Sequence, residues 1–465
     1  ACGAPLSYVP LCAHVLRRRR QVARRKRRDA LVASTLGTIG GGHNIGVLSS
    51  FALICNNITG PGLVSIPPLI AQSGIVTPLA TFAVVMCVSS LAGTMLAEAM
   101  RHLPKNSLLR ERVEFLNVAQ FYFGRRSPAY WITVVLFVLS LTALNVAQIV
   151  ISAQVVDYAL VAIDRTCGLQ FGPASVRFTC PTSLPAGDVT PFTGAFAAVS
   201  LGYFVVMLAA LPLSYMNLDD NKHVQNASFC VLVLITIMWC ALSLWVYGFD
   251  AAHGEQAHAS LVPFGSNQAQ VLGVVMFNYV FVTSLPSWVS EKRPHVSVNR
   301  IVWGSALFST LQYLLLGLLA GGAFAFPEGD DLLSVIDSST AVRAAGVFGT
   351  AARITVFLFP PVALVTSIPV FSVIARYNLL SSGLIKRSWI ANLVAIGLPW
   401  IMALAFYAGS GLVTVVNFSS VLFQGVINYI VPIIFYLLSL QHNANRARRA
   451  DYEQWQLQQE AAATA

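Results

Sequence analysis

Residues 55–68 read CNNITGPGLVSIPP, a polar, helix-breaking stretch set inside apolar chain. Val47, Leu48, Phe51, Ala52, Leu53 and Ile54 lead into it, and Leu63, Val64, Ile66, Leu69 and Ile70 continue from it. The two flanks together are long enough to cross a bilayer, at about 1.5 Å of rise per helical residue. Between them, Gly60-Pro61-Gly62 interrupts the helix. Irregular backbone is tolerated at membrane depth only where protein or a water-filled cavity surrounds it. The groups such a break frees are ready ligands: a half-helix N-terminus favours a carboxylate, and unwound carbonyls favour a cation. Asn56 to Gly62 therefore reads as a binding site. The alternative is a plain Gly/Pro kink that lets helices pack closely.

Composition agrees with a membrane setting. Of 465 residues, 56% are hydrophobic and 10% charged, and the mean hydropathy is +0.68. Soluble domains carry about 25% charged residues. Long apolar runs bounded by charge or turn residues predict ten spans, near 45–71, 76–100, 129–157, 192–215, 224–248, 269–290, 301–326, 350–376, 389–408 and 412–440. With the N-terminus in the cytoplasm, 25 of the 29 Lys and Arg fall on the cytoplasmic side, leaving Arg165, Arg177, Arg343 and Arg353 opposite. Nine of the basic residues lie in RRRRQVARRKRR (17–28). A nucleic-acid arm is one reading of that run; a flank that sets topology and touches anionic lipid is the reading that suits so many spans.

The chain begins at alanine, as expected of a piece of a longer chain. It divides into a basic arm (1–44), a transmembrane domain (45–440) and a polar cytoplasmic tail (441–465). The eight cysteines show no metal-ligand spacing. Cys55, Cys87, Cys230 and Cys240 sit in apolar segments as packing residues. Cys167 and Cys180 share one loop, on the side away from the cytoplasm in this orientation, where a disulfide can form.

A second break lies in span six, where Thr283, Ser284 and Pro286 interrupt VFVTSLPSW (280–288). Ten spans read as two repeats of five, about 45–248 and 269–440, make span six the counterpart of span one. Because five is odd, the halves enter the membrane from opposite sides. Breaks in corresponding spans are the sequence sign of a transporter site. The fold expected is an all-α polytopic membrane protein, two inverted repeats of five helices with helices one and six broken.

NNITGPGLVSIPPLIAQSG (56–74) resembles the N-x-I-x-G-x-G-[IL] first helix of the amino acid/auxin permease family, within the amino acid–polyamine–organocation superfamily. TSLPSWVSE (283–291), ARITVFLFPPVALVTSIPVF (352–371) and VNFSSVLFQGVINYIVPIIFYL (416–437) resemble its sixth, eighth and tenth helices, in the right order. There are departures. The family usually has eleven spans, one more than is counted here. Pro61 stands where the motif has a small residue, which removes one backbone N–H.

The broken spans and the resemblance together name candidate residues. The N–H groups around Gly60, Gly62 and Leu63, flanked by Asn57 and Thr59, take a substrate carboxylate, glycine allowing close approach. The amino group falls to carbonyls near Val280 to Thr283 and to the Thr283 or Ser284 hydroxyl. Ordinary hydrogen bonding between helices is the alternative for those two hydroxyls. Asn145, Gln148 and Ser152 share one face of span three, and Asn417, Ser420, Gln424 and Asn428 form a stripe on span ten. Either set lines the path or glues helices. Resemblance to the sodium-coupled neutral amino acid transporter branch puts Asn56 and Ser367, with Thr366 adjacent, at sodium positions.

Absences narrow the chemistry. Glu98, Asp157, Glu291 and Arg353 sit near span ends, where snorkelling or pairing is the default, and no histidine is mid-membrane. An intramembrane enzyme would need buried acids, histidine or a metal, so none is expected. A pocket without fixed charge suits a neutral side chain. The expectation is a secondary transporter of small neutral amino acids working by alternating access, with Na+ or H+ as coupling ion and no other cofactor. Its partners are the amino acid and the lipid bilayer, not nucleic acid, and the transport unit is a monomer. The alternatives are a proton-coupled or uncoupled carrier of a vacuolar or lysosomal membrane rather than the plasma membrane, or an amino acid-sensing receptor on the same scaffold.

Overall fold

The computed structural model describes residues 44–172, 175–183, 190–192, 197–253, 261–327, 331–407 and 419–445. The basic arm and the end of the tail lie outside the described residues. Helix α1 (Val47–Ile58) runs into a 3-10 turn (Pro61–Ser65) and α2 (Ile66–Ser73), and the two arms of the span are bent by 49°. Pro61 and Gly62 make this break as the sequence predicts. Gly74 ends α2 at φ 84°, a left-handed conformation that suits glycine.

Helix α3 (Val76–Arg101) recrosses, and α4 (Phe115–Phe123) is a short helix opened by Glu114 and Asn117, each side chain bonding the other's backbone. Helix α5 (Pro128–Ile163) starts at Ser127, whose hydroxyl caps Ala129 N–H, with Pro128 in the first turn. It runs six residues past the end expected at 157. The loop that follows carries three antiparallel strands, β1 (Gly168–Phe171), β2 (Val176–Thr179) and β3 (Ala197–Ser200), in the order β2-β1-β3. Gly168 pairs with Thr179 on one side and Ser200 on the other. Cys167 and Cys180 are joined there by a disulfide.

Span four is shorter than the run at 192–215 suggests: Ser200 caps α6 (Leu201–Tyr215), and Ala197–Val199 just before it are strand. Helix α7 (Lys222–His253) closes the first half; the second opens with α8 (Val271–Asn278), a 3-10 turn (Val282–Ser284) and α9 (Leu285–Glu291), which together form the second broken span. Next come α10 (Val298–Ala323), the short α11 (Leu332–Ser338) and α12 (Thr340–Ala344), and α13 (Gly346–Ser381). The chain ends in α14 (Ser388–Asn392), α15 (Leu398–Phe406) and α16 (Val421–Asn445). Among the described residues, eight helices are long and apolar enough to span, and the bent pair makes nine; α6, at 15 residues, falls short by length.

Helix α10 lies against α1, α2, α3 and α7, and α13 lies against α5, α6 and α7. The 3-10 turn of the first break is flanked by α8, α11 and α13. The bundle's outer face is apolar: Leu208, Leu234, Ile237, Leu311, Ile354 and Ile401 are exposed. In water such a surface is untenable; in lipid it is the solvated one. Cys55 and Cys240 are packed inside, but Cys87 and Cys230 are exposed on helix surfaces rather than in the core.

Candidate functional site

At the first break, Thr59 turns back on its own helix: both its N–H and its hydroxyl donate to the Cys55 carbonyl at 2.7 Å. Leu63 N–H donates to Gly60 O at 3.3 Å and the Ser65 hydroxyl to Gly62 O at 2.9 Å, which closes the 3-10 turn. The Tyr313 hydroxyl of α10 donates to the freed Ile58 carbonyl. The hydroxyl of Thr59 and the N–H of Leu63, both expected at the substrate, are thus engaged within the protein in this conformation.

At the second break the stitches come from other helices. Ser89 of α3 donates to Tyr279 O at 3.2 Å, and the Tyr279 hydroxyl shares a 2.5 Å bond with Thr310. Thr283 N–H donates to Asn428 Oδ1 at 3.1 Å, so that member of the span-ten stripe holds the break. Val280 is buried inside the turn.

The two breaks meet through Asn57, whose Nδ2 donates to Ser284 Oγ at 3.1 Å. Ser284 gives its single proton to Phe281 O at 2.6 Å, so it accepts from Asn57 and the amide orientation follows. Among the described residues, Asn57 Oδ1 is left without a partner. Asn56, one residue round the helix, faces α7: its Nδ2 donates to Gln225 O at 2.9 Å and Gln225 Oε1 at 2.8 Å, and its Oδ1 has no partner. Asn278, at the end of α8, donates through Nδ2 to Val274 O at 2.9 Å, and its Oδ1 has no partner. The Thr283 hydroxyl has none either. These residues are 0–8% exposed. A buried unpaired acceptor costs about 1–3 kcal/mol. The breaks therefore carry oxygen acceptors that a hydrogen-bond donor or a cation would complete.

Gly62 faces the Asn278 side chain. A Cβ there would lie 1.5 Å from Asn278 Oδ1 and 2.2 Å from its Cγ. The close approach that demands glycine is made by the Asn278 side chain, not left open for a ligand. At Gly60 a Cβ would meet only Asn56 O, at 3.7 Å.

The polar face of α5 turns to α13. Asn145 Nδ2 donates to Ser372 Oγ at 3.2 Å, and the single proton of the Ser367 hydroxyl lies between Gln148 Oε1 at 2.9 Å and Ala363 O at 3.1 Å. Ser152 is buried. So Gln148, expected at the substrate, touches Ser367, expected at the cation, while Asn56 pairs with Gln225. Gln424 is buried, with neither amide atom partnered among the described residues. Asn417 and the side chains of Thr366 and Ser420 lie outside the described residues. Two clefts border the region without containing either break. One, near Asn145 and Leu379, holds about 10 Å³; the other, about 270 Å³ and apolar, lies among Val88, Met276 and Tyr429.

Glu291 closes α9 fully buried and 3.5 Å from Arg112, the pairing expected near a span end rather than snorkelling. Sequence reasoning missed Glu114 at this basic end. Glu114 accepts from Ser287 of α9 at 2.5 Å and from Asn378 of α13 at 3.4 Å. Burial pushes the Glu114 carboxyl up to about 7, against the opposing pull of the Ser287 hydroxyl and Arg112. The signal was a Glu-x-x-Asn helix start in what read as loop. At the other end Asp157 is equally buried, accepting from Thr166 at 2.5 Å, from Gly202 N–H at 2.8 Å and from Tyr407. Arg353 pairs with Asp337 at 2.7 Å.

Comparison with known proteins places this geometry. The family model described as "transmembrane amino acid transporter protein" matches residues 43–454. No curated protein matches the sequence significantly. Among solved structures, MhsT in complex with L-phenylalanine aligns at TM-score 0.54 and 12% identity, over 84% of this chain and 88% of its own. That likeness shows the inverted-repeat transporter fold. Mhp1, a nucleobase-cation-symport-1 family transporter solved closed with bromovinylhydantoin, aligns at TM-score 0.49 and 15% identity, over 83% and 77%. A manganese transporter of Eremococcus coleocola aligns at 0.46 and 15%, over 83% and 78%.

Proposed function

The chain belongs to the transmembrane amino acid transporter family, and from that premise we propose that it is a secondary active carrier of small neutral amino acids, working by alternating access with the site between the two broken spans. The observation that carries this reading is the set of unpaired oxygens on Asn56, Asn57, Asn278 and Thr283 at those breaks. An ammonium group answers them, and no ionised residue of the protein is needed. Sodium is the coupling ion this reading favours, because amide and hydroxyl oxygens suit a hard cation. Asn56 and Ser367, with Thr366, remain its proposed ligands, and Asn145 and Gln148 the side-chain wall. The N-terminus lies in the cytoplasm by the distribution of Lys and Arg, and the transport unit is one chain.

A substrate with a third charge would need a partner at the breaks. Leaving that charge unpaired costs a few kcal/mol at least, on the order of a hundredfold in affinity. The test is uptake of labelled alanine or glutamine into proteoliposomes, with sodium and proton gradients imposed separately and the standard amino acids as competitors. Accumulation driven by sodium, with lysine, arginine and glutamate competing poorly, is the expected result. Equal competition by charged amino acids would end the neutral-substrate reading. A proton-driven result would move coupling to the second reading, which rests on the buried Glu114 with a carboxyl held near neutrality.

A further inference from the structure

Two basic side chains are buried among the described residues, Lys292 at 6% and Arg376 at 7% exposed. Arg376 donates to the carbonyls of Ser214, Tyr215 and Met216 at 3.4, 3.1 and 2.8 Å, which caps the end of α6. Among the described residues, no hydrogen bond or ion pair reaches the Lys292 ammonium group. The acids of this end pair elsewhere: Glu98 with Arg101, Asp219 with Lys222 and Glu291 with Arg112. Burial and the neighbouring Arg101 guanidinium both pull the Lys292 pKa down, so nothing described offsets its charge. A buried charge without a partner is costly. The ammonium group is not sealed off, so an outside anion can reach it.

The depth of the site says which anion. Arg101 is the last residue of α3, and Lys292 follows the last residue of the second broken span; α9 packs against α3. Both cations therefore lie at headgroup level, at the end that the distribution of Lys and Arg places in the cytoplasm. Arg101, Arg293 and Arg300 are exposed there, as snorkelling cations are, and Lys292 is not. The backbone at Lys292 also clasps the two broken spans together. Ile45 N–H donates to Glu291 O at 3.3 Å, and Arg293 N–H donates to Ile45 O at 3.0 Å, two residues before α1 begins. We propose that Lys292, with Arg101, binds the phosphate of an anionic phospholipid of the cytoplasmic leaflet, and that the bound headgroup braces this clasp. The inference does not rest on the transport reading, because binding and backbone protection test it.

Wild-type protein is reconstituted in phosphatidylcholine vesicles with and without phosphatidylserine, and the lipid it retains in detergent is identified by native mass spectrometry. Phosphatidylserine should be retained in preference to phosphatidylcholine. Lys292→Gln should lower that preference about fivefold, the worth of one basic residue near the membrane surface. Lys292→Arg should keep it. Arg101→Gln, at an exposed position outside the clasp, should lower it less, because Glu98 already shares that charge. Hydrogen exchange reads the clasp: phosphatidylserine should slow exchange at Ile45 and Arg293 in the wild type and not in Lys292→Gln.

Equal retention of the two lipids by the wild type would mean that the protein answers the Lys292 charge itself, and the proposal fails. It fails also if R17Q/R18Q/R19Q/R20Q, with Lys292 intact, loses the preference as fully as Lys292→Gln, which would make the basic arm the lipid site. Inorganic phosphate that slowed exchange equally in phosphatidylcholine vesicles would replace the lipid with a free anion. Preference lost in Lys292→Gln with exchange unchanged would remove the bracing role.

Discussion

The two broken spans reach similar shapes by different means. The first is bent by its own residues: Pro61 cannot extend the α1 ladder, Gly60 leaves the helix at ψ −135°, and the bend measures 49°. The second has its proline in the first turn of α9, where the missing N–H costs little. What holds it open is Ser89, Thr310 and Asn428 from three other helices. Its lower arm is tied through Ser287 to Glu114, a group that can titrate. A locally encoded break survives the loss of any one neighbour. A stitched break depends on each of its stitches, and can be loosened by one of them.

The largest effect is expected at the first break. Gly62→Val should abolish transport while leaving protein in the membrane, because two γ-methyls would be forced into the Asn278 carboxamide. Normal uptake by this variant would remove the first break from the site. Asn428→Ala comes next. Thr283 N–H loses its buried partner, a loss of about 1–3 kcal/mol, or roughly ten- to a hundredfold in kcat/KM if the turn must stay formed for binding. Hydrogen exchange at residues 279–284 should rise while that at 58–63 stays unchanged; a rise at both breaks would mean that they are one cooperative unit.

Glu114 sets a pH dependence that only the second break should feel. Its carboxyl lies near 7 in the folded protein against 4.5 ordinarily, so the folded state holds its proton more tightly. That contribution is fully present below pH 4.5, declines as pH rises toward 7 and is gone above it. Melting temperature of the wild type minus that of Glu114→Gln, across pH 4.5 to 8, should fall along that course. A difference that rose with pH would mean a carboxylate stabilised by Arg112, not one disfavoured by burial. The smallest effect is expected from Ser367→Ala, on α13 beside Gln148 of α5. It should weaken sodium activation several-fold, about the worth of one hydrogen bond or ligand oxygen, and leave substrate affinity at saturating sodium nearly intact. An equal loss in both would place Ser367, with Gln148, at the substrate.

Much of this molecule was legible in the chain alone. Hydropathy over windows of about twenty residues reports burial in lipid whatever the tertiary contacts. So the spans, and a broken helix at Gly60-Pro61-Gly62, could be read directly. The fourth span could not be read correctly. Apolar residues before Ser200 are as compatible with strand β3, paired to β1, as with helix, and only pairing decides. The same limit governs the site. Asn56 and Asn57 were visible as polar residues in a break. That one turns to Gln225 and the other to Ser284 depends on how α1 is rotated against α7 and α9. Asn278 gave no local sign of importance, an asparagine ending an apolar run, and the Glu-x-x-Asn pattern at Glu114 announces a helix start but not a buried carboxylate. Their burial, against Gly62 in one case and Ser287 and Asn378 in the other, exists only once distant segments are packed together. Backbone chemistry is written residue by residue, but the partner of a buried polar group is chosen by the fold, because it can come from any segment packed against it.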